Sequence, residues 1–238
     1  MTGKLHERVA LITGASRGIG AAVAERFAAE GAHVVLVART IGALEAVDDR
    51  IRRKRIKGDG ATLLQLDLSE LDQVDLIGPT IAERFGRLDI IVGNAGVLGE
   101  MAPINHIDEA IWSNVVEVNL NANWRLIRTA DPLLRRSNAG RAVFVTSGAA
   151  RGIRPYWGAY AVSKAALEMM VTCWAAETEK TEMRINLLDP GATRTAMRAE
   201  AYPGEDPQTL KPPQALTDLF VQLCSPACTR HGEIISAH

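Results

Sequence analysis

The sequence predicts an α/β fold of the doubly wound kind: three layers, with a mostly parallel sheet of about seven strands and helices on both faces. Three observations carry this. Short β-rich runs alternate with longer runs of helical period along all 238 residues. The strand candidates are apolar on both faces, as strands covered on both sides must be. The chemically distinctive residues follow strand ends, where an open sheet with one reversal of strand order has its crevice. The length suits a single domain over 1–238.

The first strand candidate is Arg8 to Thr13, "RVALIT", a continuous apolar run with Val and Ile. A helix follows over Gly18 to Glu30, with Ile19, Val23 and Phe27 on one face, and Gly31 stops it. The remaining strand candidates are His33 to Ala38, Thr62 to Leu66, Leu88 to Val92, Arg141 to Ser147, Arg184 to Leu188 and Glu233 to Ser236. Helices are predicted near 40–56, 69–85, 104–136, 157–180 and 213–224. The stretch 192–213 breaks the rhythm, with Pro203, Gly204, Pro207, Pro212 and Pro213 among charged residues. A long insertion there is a disordered connection or a lid. Because it starts at the crevice rim, it is read as a substrate lid.

Composition narrows the function. A formal net charge of -1 gives no global field for nucleic acid or an anionic membrane. The basic run Arg50 to Lys57 is read as a solvated helix face and loop rather than a binding patch. Three cysteines, Cys173, Cys224 and Cys228, lack framework spacing, which suggests reduced thiols and a cytoplasmic protein. No second pair of ligands accompanies "CSPAC", so no metal site is expected. The apolar run near the start is too short for a signal peptide's core, and no stretch approaches a membrane span.

The stretch "TGASRGIG" lies between the first strand and the first helix, the context a phosphate-binding glycine turn needs. Gly14 permits the tight turn, and Gly18 or Gly20 lets backbone approach a pyrophosphate. Ser16, Arg17 and Ile19 complete the loop. The helix start supplies unpaired N–H groups and a partial positive charge. Cofactor choice follows from charge. An NAD site places a carboxylate at the end of the second strand. Here that end reads Ala38, Arg39, Thr40. Arg39 and Arg17 can pair with a 2′-phosphate in bidentate fashion, so NADP(H) is expected over NAD(H).

"YAVSK" places Tyr160 and Lys164 four residues apart, on one helix face. Such pairs recur in many helices. The functional reading is a phenol made more acidic by the ammonium together with a cationic oxidised nicotinamide, so that it can exchange a proton with an alcohol oxygen. Ser147 ends the fifth strand candidate, where its hydroxyl can bond a substrate carbonyl. Asn119 sits mid-helix in "VEVNLNANW", a poor place for Asn. Buried, it needs polar partners or a water, although Asn121 and Asn123 nearby make it less singular.

With these residues in place, the chain resembles the short-chain dehydrogenase/reductase family, in its compact single-domain, Rossmann-type branch. "TGASRGIG" matches the family's TGxxxGxG motif, and Asn119, Ser147, Tyr160 and Lys164 match its catalytic tetrad. "LDLS" resembles the strand end that binds adenine, which falls on Asp67 with Leu68. "GNAG" resembles NNAG, giving Asn94, Ala95 and Gly96. "DPGATRT" resembles the PGxxxT element, with Pro190, Gly191, Thr193 and Thr195 at the nicotinamide end. The resemblance implies that Tyr160 is the general acid/base and that Lys164 bonds the nicotinamide ribose. It also implies that Ser147 orients substrate and that Asn119 holds a water of a proton relay. The tail is similar to that of a bacterial subgroup of uncharacterised oxidoreductases. In two places the chain departs from the family. Gly93 replaces the first Asn of NNAG, which ties neighbouring strands, and the last strand lacks the family's "DGG"-like tail, which contributes to subunit contacts. A homodimer or homotetramer is expected.

The expectation is therefore an NADP(H)-dependent oxidoreductase interconverting a carbonyl and an alcohol. A 3-oxoacyl thioester reductase activity lies within that class. A non-catalytic NADP-binding regulatory or scaffold protein is the alternative. Pocket candidates are Leu98, Met101, Arg151, Arg154, Tyr156, Trp157, Met197 and Tyr202. They are mostly apolar or aromatic, which suits a hydrophobic carbonyl compound. Arg151 and Arg154 either meet an anionic group or face solvent.

Overall fold

A computed structural model of the chain describes residues 3–54 and 60–237. The elements run β1 (Val9–Thr13), α1 (Gly18–Ala29), β2 (His33–Ala38), α2 (Ile41–Lys54), β3 (Thr62–Gln65), α3 (Leu71–Asp75), α4 (Ile77–Phe85) and β4 (Ile90–Gly93). They continue with α5 (Glu109–Val116), α6 (Ala122–Leu134), β5 (Arg141–Val145), α7 (Gly158–Glu177), β6 (Arg184–Asp189), α8 (Ala196–Ala201), α9 (Thr217–Cys224) and β7 (Ile234–Ser236).

Alternation along the strands makes the layers. Ala10 and Ile12 of β1 enter one core with residues of α1, α2 and α9. Val9 and Leu11 enter a second core with residues of α4, α6 and α7. β5 divides the same way, with Val143 and Val145 on the first side and Ala142 and Phe144 on the second. The strands are parallel and pair in the order β3-β2-β1-β4-β5-β6-β7. The order reverses between β1 and β4, so the crevice opens there, at the carboxyl ends of the strands.

Two predicted helices are broken. The one near 69–85 divides at Leu76 into α3 and α4. Gly78 then brings α4 onto α6, since a Cβ there would lie 2.3 Å from Thr129 O. The one near 104–136 begins as a 3₁₀ turn at Ile104–His106. It restarts where Asp108 accepts from Ala110 N at 2.8 Å, an N-cap, and passes through a π segment, Glu117–Asn121, before α6. The fifth strand stops at Val145, two residues before Ser147. In the basic run, Arg50 and Lys54 pair with Glu25 and Arg52 with Asp48, as a solvated face does. The rest of that run, and the end of the predicted 40–56 helix, lie outside the described residues. The 192–213 stretch is no bare connection: it carries α8 and a 3₁₀ turn at Pro207–Thr209, and a bridge between Thr193 and Lys211 closes its base.

Candidate active site

β1 ends at Thr13 and the chain turns at Gly14 with φ +63. A Cβ there would lie 2.9 Å from Ala95 Cα, so only glycine lets the loops after β1 and β4 meet in this conformation. Asn94 locks the meeting, its Nδ2 donating to Thr13 O at 3.0 Å and to Gly14 O at 3.2 Å. Thr13 Oγ1 accepts from Asn94 N at 3.0 Å and Ala95 N at 3.1 Å. Thr13 was not among the expected site residues. Its signal was a lone hydroxyl closing an apolar run. Gly18 takes φ +57, and among the described residues only the Thr195 side chain comes near its missing Cβ, Cγ2 at 3.5 Å and Cβ at 3.9 Å. Gly20 is a packing residue instead, because a Cβ there would sit 2.3 Å from Gly14 O.

Arg17 occupies the N-cap of α1 and its side chain makes no capping bond. The first-turn N–H groups are therefore without a side-chain partner, beside a cleft lined by Gly14, Ser16, Gly18 and Ile19. An open helix start on a turn that tolerates no Cβ fits a phosphate. The cleft, about 1670 Å³, runs on past Arg39, Asp67, Leu68 and Asn94–Gly96 to Ser147, Tyr160 and Pro190–Thr195. That exceeds the ~300–1,000 Å³ of a small-molecule pocket and leaves room for a dinucleotide and a second compound. Arg17 and Arg39 are both exposed. Arg39 Nη1 lies 3.9 Å from Asp67 Oδ2. The other oxygen, Asp67 Oδ1, is held by Ser69 N at 3.0 Å and Ser69 Oγ at 2.8 Å.

Tyr160 and Lys164 are one turn apart on α7 and both buried. Lys164 Nζ donates to Val145 O at 2.9 Å and stands 5.8 Å from the Tyr160 ring centroid. Burial pulls the ammonium down to about 8, with Glu168 opposing. Burial pushes the Tyr160 phenol up, a hydrogen bond with Ser147 draws it down, and Asp189 adds to the rise. This differs from the expected acidic phenol. The dry site disfavours both charged forms, and the expected lowering draws on the cofactor's cation as well as on Lys164. Ser147 caps the 3₁₀ turn Gly148–Ala150, its Oγ accepting from Ala149 N at 3.2 Å.

Asn119 is fully buried in the π segment and does not line the cleft. Its Oδ1 accepts from Val97 N at 2.8 Å, and its Nδ2 donates to Val97 O at 2.9 Å and Ser163 Oγ at 3.0 Å. Ser163 Oγ in turn donates to Tyr160 O at 2.8 Å. The side chain thus clamps the loop after β4 to the helix of Tyr160. Its main-chain carbonyl accepts from Asn123 Nδ2 at 2.9 Å. Gly96 makes room for this cluster, since a Cβ there would meet Asn119 Oδ1 at 3.2 Å and Lys164 Nζ at 3.5 Å.

After β6, Gly191 takes φ +62 and Gly191 N donates to Asp189 Oδ1 at 3.0 Å. Thr193 Oγ1 donates to Pro190 O at 3.2 Å, and Thr195 Oγ1 accepts from Arg198 N at 3.2 Å, capping α8. An apolar wall follows, where Leu98, Ala149 and Tyr160 pack with Trp157, Met197 and Ala201. Met101 and Tyr156, expected here, do not line the cleft. Arg151 is committed: it bonds Asp189 Oδ2 at 2.6 Å and also Glu168 Oε1, both carboxylates being buried. Among the described residues no cysteine is paired and no metal-ligating cluster occurs.

A cleft at the switch point of a parallel sheet, with a tyrosine–lysine pair at its inner end, defines an oxidoreductase of the doubly wound class. The chain belongs to the short-chain dehydrogenase family, whose model, described as short chain dehydrogenase, matches residues 8–206. It is 39% identical over 219 residues to the uncharacterized oxidoreductase YciK of Escherichia coli K12, covering 92% of this chain and 86% of that protein. Among solved structures, a short chain dehydrogenase of Escherichia coli CFT073 complexed with NADPH is 37% identical, with a TM-score of 0.94 over 100% of this chain and 99% of that one. A short chain dehydrogenase of Shigella flexneri complexed with NADP is also 37% identical, with a TM-score of 0.93 over 100% and 99% of the two chains.

Proposed function

We propose that the protein is an NADP(H)-dependent oxidoreductase that interconverts a carbonyl and a primary or secondary alcohol. One observation carries the reading: buried Tyr160, bonded to Ser147 and beside Lys164, shares a single cleft with the uncapped glycine turn. Gly14, Ser16, Gly18 and Ile19 would hold the diphosphate, with Arg17 and Arg39 on the 2′-phosphate. Asp67 and Leu68 would bound the adenine, with Asn94, Ala95 and Gly96 beneath the ribose. Pro190, Gly191, Thr193 and Thr195 would border the nicotinamide end. The relatives crystallised with NADP and NADPH support this choice. The bound nucleotide supplies or accepts the hydride.

The chain's own groups handle the proton. Ser147 Oγ orients the substrate oxygen and Tyr160 Oη gives or takes its proton. Lys164, held by Val145 O, favours the phenolate once charged. The Asn119 carbonyl would seat a water that reconnects Lys164 to solvent. The 192–213 segment would act as the lid that keeps water out.

The test is NADPH consumption across a carbonyl panel, with Tyr160→Phe and Arg39→Asp alongside wild type. Tyr160→Phe should lose at least ~100-fold in kcat, and Arg39→Asp should move nucleotide preference toward NADH. Equal turnover by wild type and Tyr160→Phe would refute the assignment of Tyr160. Equal wild-type affinity for NADPH and NADH would refute the arginine reading.

A further inference from the structure

Arg151, Arg154 and Arg198 line the cleft beside the apolar wall, and carboxylates neutralise two of them. Arg151 bridges Asp189 and Glu168, and Arg198 forms a two-pronged pair with Glu205, both contacts 2.6 Å. Arg154 differs. It is exposed, it lines the cleft, and among the described residues no carboxylate pairs with it.

Arg154 is nonetheless held in place. Its Nη1 donates to Tyr202 Oη at 3.1 Å, and its Cζ stands 5.6 Å from the Trp157 ring centroid. Trp157 meets Tyr160 edge-on with ring centroids 5.8 Å apart, and it lies equally close to Tyr202, at 5.8 Å. One indole therefore separates the reacting phenol from an oriented guanidinium that, among the described residues, pairs with no carboxylate. A guanidinium backed by an aromatic face keeps donors free for a carboxylate. Leu98, Met197 and the Trp157 ring supply the apolar stretch between.

We infer that Arg154 recognises a carboxylate at the far end of the substrate, so that the protein prefers oxo- or formyl-acids with an apolar body between the two groups. Tyr202 Oη on the 192–213 segment then shares the guanidinium with the bound acid, which couples acid binding to that segment. The inference rests on the carbonyl-reducing reading above.

The experiment compares terephthalaldehydic acid and azelaic semialdehyde, each with its methyl ester, as substrates of the NADPH-loaded protein. The acids should lead by about tenfold in kcat/KM, as one charge-assisted contact would give, and added salt should erode the lead. Arg154→Met should bring the acid-to-ester ratio to about one, while Arg154→Lys keeps part of it. A purely structural role for Arg154 would lower acid and ester together. A wild-type ratio at or below one, or a ratio unchanged in Arg154→Met, overturns the inference. Should neither compound consume NADPH, calorimetric titration of the same pairs into the NADPH-loaded protein separates the two claims. Acid-selective binding that disappears in Arg154→Met supports the subsite and removes the catalytic reading. Absence of acid selectivity removes the inference.

Discussion

Lys164 is an ammonium that, among the described residues, pairs with no carboxylate; it is fixed to one carbonyl and pulled by burial to about 8 from an ordinary 10.5. This has a consequence for stability. Between those two pH values the unfolded chain binds the proton that the folded chain has released. Stability from this site is therefore complete above 10.5 and is lost as pH falls toward about 8. The stability of cofactor-free wild type minus that of Lys164→Met should rise through this window, by a total on the order of 3 kcal/mol. A flat difference across the window would show that Lys164 titrates normally. Sequence spacing put Tyr160 and Lys164 on one helix face because the helical period is local. It could not weigh burial against charge, so the rise of the Tyr160 phenol was missed. For the same reason the two readings of Arg151, facing an anion or facing solvent, could not be separated, since its two carboxylates arrive from α7 and from the end of β6.

At the scale of elements, the break in the 104–136 helix is the informative departure. Asn119 was legible as an oddity, and the π segment is its physical answer. An extra residue in the turn lets the amide reach Val97 and Ser163 together while helices continue on either side. Periodicity alone cannot register such an insertion, because the apolar pattern resumes on the same face. Gly93 is a second case. It pairs with Phe144 across β4 and β5, and a Cβ at 93 would lie 2.3 Å from Phe144 Cδ1. The phenyl ring, fully buried, fills the space that the family's asparagine would need. Gly93→Asn, which restores the NNAG pattern, should therefore destabilise the protein by about 2–3 kcal/mol through overpacking. Urea unfolding measures it, and an unchanged midpoint would mean that Phe144 moves aside freely.

At the scale of the whole molecule, the end of the sheet opposite the cleft is tied by a side chain that no motif flagged. Arg141 opens β5 and is buried, yet all five of its N–H donors are used. Nε donates to Ser225 O at 3.0 Å, Nη1 to Gly140 O at 2.8 Å and Glu182 O at 2.9 Å, and Nη2 to Pro226 O at 2.7 Å and Cys228 O at 3.2 Å. It joins β5, the turn before β6 and the loop after α9. Lysine has three donors and no fork, so Arg141→Lys should lose at least two of these five bonds and cost about 2–4 kcal/mol. Denaturant unfolding of the cofactor-free variant tests this, and a loss under ~1 kcal/mol would mark the network as incidental. This set of carbonyl acceptors was invisible beforehand, because backbone oxygens carry no residue identity.

Local chemistry was readable in one dimension. Strands, helices, glycine turns and the tyrosine–lysine spacing depend on neighbours within a few residues, and they sufficed for the layers, the crevice and the family. Only folding decided which distant groups share a dielectric and a volume. It separated Gly18, which lines the cleft, from Gly20, which packs beneath it. It gave Arg151 two buried carboxylates and, among the described residues, gave Arg154 none. Those outcomes rest on contacts between residues far apart in the chain, and charge compensation and close packing exist only once such residues meet.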